Sequence, residues 1–309
     1  MNQRIRIGTR GSQLALYQAE KVKATLISQF PLLDVEIQII KTKGDKILDV
    51  ALSKIGDKGL FTKEIENALL DCSIDIAVHS LKDLPTTLPE GLKLGAVLER
   101  AEYRDALVSK NGKLLAQLGA GDIVATSSLR RQAGLLKIAP EVTIKDIRGN
   151  VQTRLKRMEE GYCDAMIMAA AGLQRLGLEH YITEIIDHDQ IIPAVSQGII
   201  AIEMRENDKN TQEFLDAINH QQTMDSALAE RAFLSMLQGG CQVPVGCYSV
   251  RNMNKIELHG FVASIDGKVS IKNSTVGDCS NPIGIGHELA KKLLEMGAKT
   301  ILENIRIAN

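Results

Sequence analysis

The sequence predicts an α/β protein: two lobes of alternating strands and helices, followed by a small α+β domain. Three observations predict it. Short alternating apolar runs recur between runs of helical period from residue 4 to about 219, as βαβ units require, and such units bind ligands at the carboxyl ends of their strands. Charge density rises over Glu99–Arg104 and the pattern then restarts, which marks a second lobe. Beyond residue 243 strands follow one another before a final helix. A chain of 309 residues is long enough for two or three cores.

In order, residues 4–8 alternate as a strand, and Ser12 can cap the helix that follows. Leu16, Ala19, Val22, Leu26 and Phe30 keep helical spacing until Pro31 stops it. Val35, Ile37 and Ile39 alternate as a second strand. A long polar loop from Thr42 to Phe61 carries Lys54 and Lys58; loops of that length are binding segments, lids or disordered. A helix over Thr62–Leu70 and a strand over Ile74–His79 lead into Ser80-Leu81-Lys82-Asp83-Leu84-Pro85.

The second lobe takes strands near 106–109, 122–126, 142–146 and 164–169, with helices near 128–138, 150–160 and 170–177. A strand near 199–204 and a helix near 211–219 come next. A helix from Met224 to Leu237 ends at Gly239-Gly240-Cys241-Gln242-Val243-Pro244. Strands over 243–250, 255–263 and 268–273 and a helix over 282–294 complete the chain.

Composition excludes several functions. Thirty-seven basic against 38 acidic residues leave no global field, so an anion site must come from local placement. Aromatics at 3% argue against a base-stacking platform for single strands. No apolar run is long enough for a bilayer, and the start lacks the apolar core of a signal peptide. Five scattered cysteines then read as reduced thiols in a cytoplasm. No CxxC pair or paired-histidine spacing suggests a metal site.

Against that neutral background, several cations stand where helix dipoles disfavour them. In Thr126-Ser127-Ser128-Leu129-Arg130-Arg131 either serine can cap, which puts both arginines in the first turn. Asn150 is the natural cap in Arg148-Gly149-Asn150-Val151-Gln152-Thr153-Arg154. Arg10 precedes Ser12, and Lys82 follows a strand end. One such residue is ordinarily a solvated surface group. Repeated at equivalent positions, they describe a polyanionic ligand held by helix N-termini and guanidinium forks. There is no Walker A or GxGxxG pattern, and forks suit carboxylates as well as phosphates. Asp83 is an anion among these cations. It is either a turn residue bonded to its own backbone or a group that stabilises a developing cation or relays a proton. Cys241 sits on a glycine bend where a thiol can be reached, although cysteines are more often small buried hydrophobes.

The segments Ala77-Val78-His79-Ser80-Leu81-Lys82-Asp83-Leu84-Pro85, Thr126–Arg131, Arg148–Arg154 and Gly239–Pro244 closely resemble the porphobilinogen deaminase (hydroxymethylbilane synthase) family. Gly8-Thr9-Arg10-Gly11-Ser12 and Ala171-Gly172-Leu173-Gln174-Arg175-Leu176-Gly177 fit as well, in the family's order. The resemblance implies a transferase that joins four porphobilinogen molecules on a dipyrromethane cofactor held by a thioether, here to Cys241. It implies Asp83 as the catalytic carboxylate, with Lys82, Ser128, Arg130 and Arg131 on cofactor carboxylates. It places Arg10, Ser12, Arg148, Arg154 and Arg175 on substrate and chain side groups, and Lys54 and Lys58 on a mobile cover. The implied fold has two hinged domains like a solute-binding protein, over 1–98 with 199–216 and over 104–193, and a C-terminal domain over 220–309 with the cysteine. A cytoplasmic monomer with no metal, nucleic-acid or membrane partner is expected. The alternatives are a non-catalytic two-lobed binder of a polycarboxylate, which leaves Cys241 and Asp83 without a role, and a DNA-binding regulator, which lacks the basic balance and the helix-turn-helix.

Overall fold

Each five-stranded sheet carries a helix on either face, so the period-two alternation of its strands feeds two separate cores. The computed structural model describes residues 4–46, 59–238 and 243–308. Cys241, Lys54 and Lys58 therefore lie outside the described residues. The chain divides into two units: one holds Gly198–Met224 with the described residues up to Ala101, and the other holds Glu102–Gln197 with those from Asp225 onward.

In the first unit the elements are β1 (Arg4–Thr9), α1 (Gln13–Gln29), β2 (Asp34–Ile39), α2 (Lys43–Lys46), α3 (Lys63–Leu70), β3 (Ile76–Ser80) and β4 (Leu92–Val97). Later in the chain β10 (Ile200–Arg205) and α7 (Lys209–Ile218) return to it. The sheet order is β2-β1-β3-β10-β4. Ser12 caps α1, its side chain accepting from the Ala15 N–H. Ala19, Val22 and Leu26 then fall on one buried face and pack with Ile76, Val78, Ile202 and Met204. The residue between, Ala77, turns to the opposite face and packs with Ile65 and Leu69 of α3.

Alternating strands and helices imply βαβ units and so a parallel sheet, but the sheet is mixed. β1 runs parallel to β2 and β3, but β10 is antiparallel to both β3 and β4. β10 reaches the sheet from a distant part of the chain, so no helical crossover dictates a parallel entry. β4 is a strand that the periodicity did not reveal, lost behind the proline-punctuated stretch at Pro85 and Pro89.

The second unit repeats the plan with β5 (Asp105–Ser109), β6 (Ile123–Ala125), α4 (Leu129–Ile138), β7 (Thr143–Lys145), α5 (Val151–Glu159), β8 (Ala165–Ala169), α6 (Ala170–Gln174) and β9 (Glu184–Ile185). The order is β7-β6-β8-β5-β9, with β5 antiparallel to β8 and β9. Along β8, Met166 and Met168 enter one core and Ala165 and Ile167 the other.

After α8 (Gln221–Met236) come β11 (Val245–Asn252), β12 (Lys255–Ala263) and β13 (Ser270–Asp278), an antiparallel sheet in that order, covered by α9 (Pro282–Leu293). Phe233, Leu258, Leu289 and Leu293 share its core, each contributing about 1.5–3 kcal/mol by burial. Gly286 lets α9 cross close to α8, since a Cβ there would lie 2.2 Å from the Ala229 carbonyl oxygen. The helix read over 282–294 is α9; past it the chain kinks at Gly297, whose φ of 105° favours glycine, and adds a helix absent from the sequence reading, α10 (Lys299–Ala308).

Candidate active site

In the first unit, β3 leaves the sheet into a single 3₁₀ turn, Leu81–Asp83. Neutral groups brace that turn on several sides. Gln18, buried on α1, donates to Ser80 Oγ at 2.8 Å. The Leu81 N–H donates to the Ile199 carbonyl at 3.0 Å, and the Leu84 N–H closes back on the Leu81 carbonyl at 3.1 Å. Leu81 and Leu84 are buried, while Lys82 is half-buried and Asp83 is exposed. Asp83 makes no hydrogen bond or ion pair among the described residues, so the alternative of a turn residue tied to its own backbone is not what the chain adopts.

Arg10 lies at the end of β1, and its guanidinium pairs with Asp45 of α2 and stacks 4.2 Å from the centre of the Phe61 ring. Burial alone would raise the Asp45 carboxyl, yet the Arg10 guanidinium and the Thr42 hydroxyl hold it below the usual carboxylate range. Ser12 Oγ is engaged as the α1 cap at 3.3 Å, which leaves its hydroxyl proton able to donate.

In the second unit the two candidate caps divide the work. Ser128 caps α4, accepting from the Arg131 N–H. Ser127 instead ties β6 to Ile147, donating to its carbonyl at 2.9 Å and accepting from its N–H at 3.0 Å. Arg130 and Arg131 do fall in the first turn of α4, but they are buried, at 5% and 8% exposure, and not spread over a surface.

Their partner is Asp105, the first residue of β5, which is fully buried. Arg130 Nη1 donates to Asp105 Oδ2 at 2.7 Å and to the Ile192 carbonyl at 2.6 Å. Arg131 Nη2 and Nε donate to Asp105 Oδ1 at 2.7 and 3.1 Å, and Gln197 Nε2 reaches the same oxygen at 2.9 Å. Burial opposes ionisation of Asp105, but the two guanidinium groups overcome it and hold the carboxyl far below its ordinary value. Burial in turn pushes Arg130 down from its ordinary value, against the pull of Asp105.

Two positive charges on one negative leave the cluster with a surplus of one. Arg130 keeps N–H groups beyond its two recorded bonds, so it can still meet a carboxylate. Sequence reasoning missed Asp105. The signal was an acid opening an otherwise apolar strand, Asp105-Ala106-Leu107-Val108.

Asn150 caps α5 as read, accepting from the Thr153 N–H at 2.9 Å. Gly149, at φ 110°, supplies the left-handed step before it. Arg154 Nε donates to the Gly149 carbonyl at 2.8 Å, and Arg148 is half-buried just upstream. Arg175 ends the short α6 and is half-buried. Just past α8 in the chain, Leu237 and Gln238 accept at their carbonyls from Arg306 of α10, at 3.0 and 3.2 Å. Cys72, Cys163, Cys247 and Cys279 form no disulfide among the described residues. Burial pushes the Cys163 thiol up to about 11, the behaviour of a small core residue.

Comparison with known proteins gives a single answer. Residues 5–213 match the family described as porphobilinogen deaminase, dipyromethane cofactor binding domain, and residues 224–295 match porphobilinogen deaminase, C-terminal domain. The porphobilinogen deaminase of Syntrophomonas wolfei is 51% identical over 300 residues, covering 96% of this chain and 97% of that one. That of Carboxydothermus hydrogenoformans is 49% identical over 306 residues, covering 99% and 98%. Among solved structures, the BvgS VFT2 domain of Bordetella pertussis aligns at 13% identity and a TM-score of 0.44, covering 70% of this chain and 86% of that one, a likeness too distant to support an argument. With both parts matched in order and relatives near half identity along almost the whole length, the chain belongs to the porphobilinogen deaminase family.

Proposed function

We propose that this chain is a hydroxymethylbilane synthase, joining four porphobilinogen molecules head to tail with release of ammonia. The observation that carries it is Asp83: an exposed carboxylate with no partner among the described residues, on a turn whose backbone is fixed from several sides. When the amino nitrogen of a bound porphobilinogen's aminomethyl arm departs as ammonia, its bond to the methylene breaks and positive charge develops over the ring nitrogen and the methylene carbon. A pre-positioned carboxylate stabilises that charge without reorganisation, and it can accept a hydrogen bond from the leaving ammonium. The non-catalytic binder leaves such a group without a task.

The donor set fits a dipyrromethane cofactor, whose acetate and propionate groups are carboxylates. Lys82, Ser128, Arg130 and Arg131 would hold those carboxylates, and Cys241 would carry the thioether. When bound, the group supplies the electron-rich pyrrole position to which new units are joined. Arg10, Ser12, Arg148, Arg154 and Arg175 would bind substrate and chain carboxylates, each well-made charged hydrogen bond contributing about 1.5–3 kcal/mol. The Arg130–Arg131–Asp105 cluster supports this role by keeping its guanidinium groups oriented before any ligand arrives, so little side-chain entropy is lost on binding.

The same reading gives three domains, over 1–98 with 199–216, 104–193 and 220–309, in a cytoplasmic monomer. No helix among the described residues is long and apolar enough to cross a membrane. Intact-mass analysis of protein from cells that make porphobilinogen tests the proposal. It should show an adduct of two pyrrole units that disappears in Cys241→Ser. An unmodified wild-type mass would favour the non-catalytic binder.

A further inference from the structure

Behind the Asp83 turn lies a group of ionisable side chains to which the proposed chemistry gives no task. Strand alternation puts them together. Ile76 and Val78 of β3, and Ile202 and Met204 of β10, face α1. His79 and Glu203 must therefore face α3, and Glu66 of α3 is buried on the side that carries Ile65 and Leu69. In the antiparallel register His79 lies opposite Ala201 and Glu203 opposite Ala77, so the two form a diagonal pair on one face. His79 Nε2 is 3.0 Å from Glu203 Oε2. His79 and Glu66 are each 7% exposed, and Glu203 is fully buried.

Three oxygens in this group, Glu66 Oε1, Glu203 Oε1 and Thr62 Oγ1, are buried without a hydrogen-bond partner among the described residues. Two buried carboxylates beside one imidazole cannot both be ionised cheaply, because the charged forms lose hydration and repel. A proton on one of them removes the conflict.

We propose that Glu66, His79 and Glu203 form a buried proton-sharing triad behind the Leu81–Asp83 turn, with Glu66 carrying the proton and the His79–Glu203 pair fixing the strand end that presents Asp83. Burial, and after it the charge of Glu203, push the Glu66 carboxyl up, against the opposing pulls of Thr62, His79 and Lys63. These are the charged and polar groups that act on it. Thr62 acts at a distance outside hydrogen-bonding geometry. His79 is the residue before Ser80, so a shift of its side chain moves the start of the braced turn. The positioning role rests on the proposed part of Asp83; the protonation does not.

Two measurements read the proton without reference to activity. In the infrared difference between wild type and Glu66→Gln at neutral pH, the carbonyl band of a protonated carboxyl should vanish in the variant. The melting temperature supplies the second. A carboxyl raised on folding stabilises below its unfolded value, about 4.3, and that contribution is lost as pH rises through the folded value. Gln mimics the protonated form, so the Tm of Glu66→Gln relative to wild type should climb with pH. The kcat of the variant relative to wild type should climb in parallel.

For positioning, His79→Phe should lower kcat roughly 100-fold with KM nearly unchanged, the scale expected for a misplaced reactive group. His79→Gln, which returns a donor near the Nε2 position, should recover most of the loss. Absence of the infrared band, or a Tm difference that ignores pH, overturns the protonation. A His79→Phe variant that melts early yet keeps wild-type kcat overturns the positioning. If Asp83→Asn turns over normally, the catalytic reading fails separately, and the infrared and melting results still decide the triad.

Discussion

Two aspartates at strand ends are treated in opposite ways. Asp83 follows the carboxyl end of β3 and is exposed without a partner among the described residues. Asp105 opens β5, is fully buried, and accepts from Arg130, Arg131 and Gln197. The first is held by its backbone, through neutral bonds at Ser80 and Leu81 that leave the carboxylate uncommitted. The second is consumed, and its sacrifice keeps two guanidinium groups fixed in an apolar setting. A reactive charge has to stay available, whereas a binding charge gains from being oriented in advance. Arg10 and Asp45 stand between these extremes, each about a third exposed.

The sharpest way to break the contrast is Asp83→Asn. Turnover should fall by about 10²–10⁴-fold, as expected for loss of a positioned acid–base group, with stability within about 0.5 kcal/mol of wild type as for an exposed residue. Ammonia release at the wild-type rate would remove Asp83 from the chemistry. Asp105→Asn should do the reverse and unfold the protein more easily, by about 3–5 kcal/mol in denaturant, because two buried cations lose their anion.

Asp105 also gives a pH signature. A carboxyl depressed on folding stabilises above its unfolded value, near 3.9, and loses that contribution as pH falls below it. Wild type should therefore lose Tm steeply below about pH 4, and Asp105→Asn should flatten that limb. A steep limb retained in the variant would assign acid sensitivity elsewhere. Asp45→Asn is the mildest test. It should cost less than about 1 kcal/mol, as for half-exposed pairs, while lowering KM for porphobilinogen, since Asp45 no longer competes for Arg10. A KM that rises would mean that the pairing orients Arg10 usefully.

Local spacing made much of this legible. Ser12, Ser128 and Asn150 each cap the helix their position suggested, and the arginines fall in the first turns as read. The alternation that located β3 also decides which face His79 occupies. The antiparallel entry of β10 was not legible, nor was β4, nor the helix that follows the kink at Gly297. The Asp105 cluster was hidden as well: its members are separated by 25 and 26 residues, and the His79–Glu203 contact spans 124.

The amino-acid order alone determined where each strand ends, which residue caps each helix, and so which charges arrive at the tips of the sheets. Those are short-range matters, settled by backbone geometry within a few residues. Only the tertiary structure decided which charges would be stripped of water and given a counter-charge. The cost of burying an ion depends on whatever the rest of the fold packs against it, and those neighbours come from distant parts of the chain.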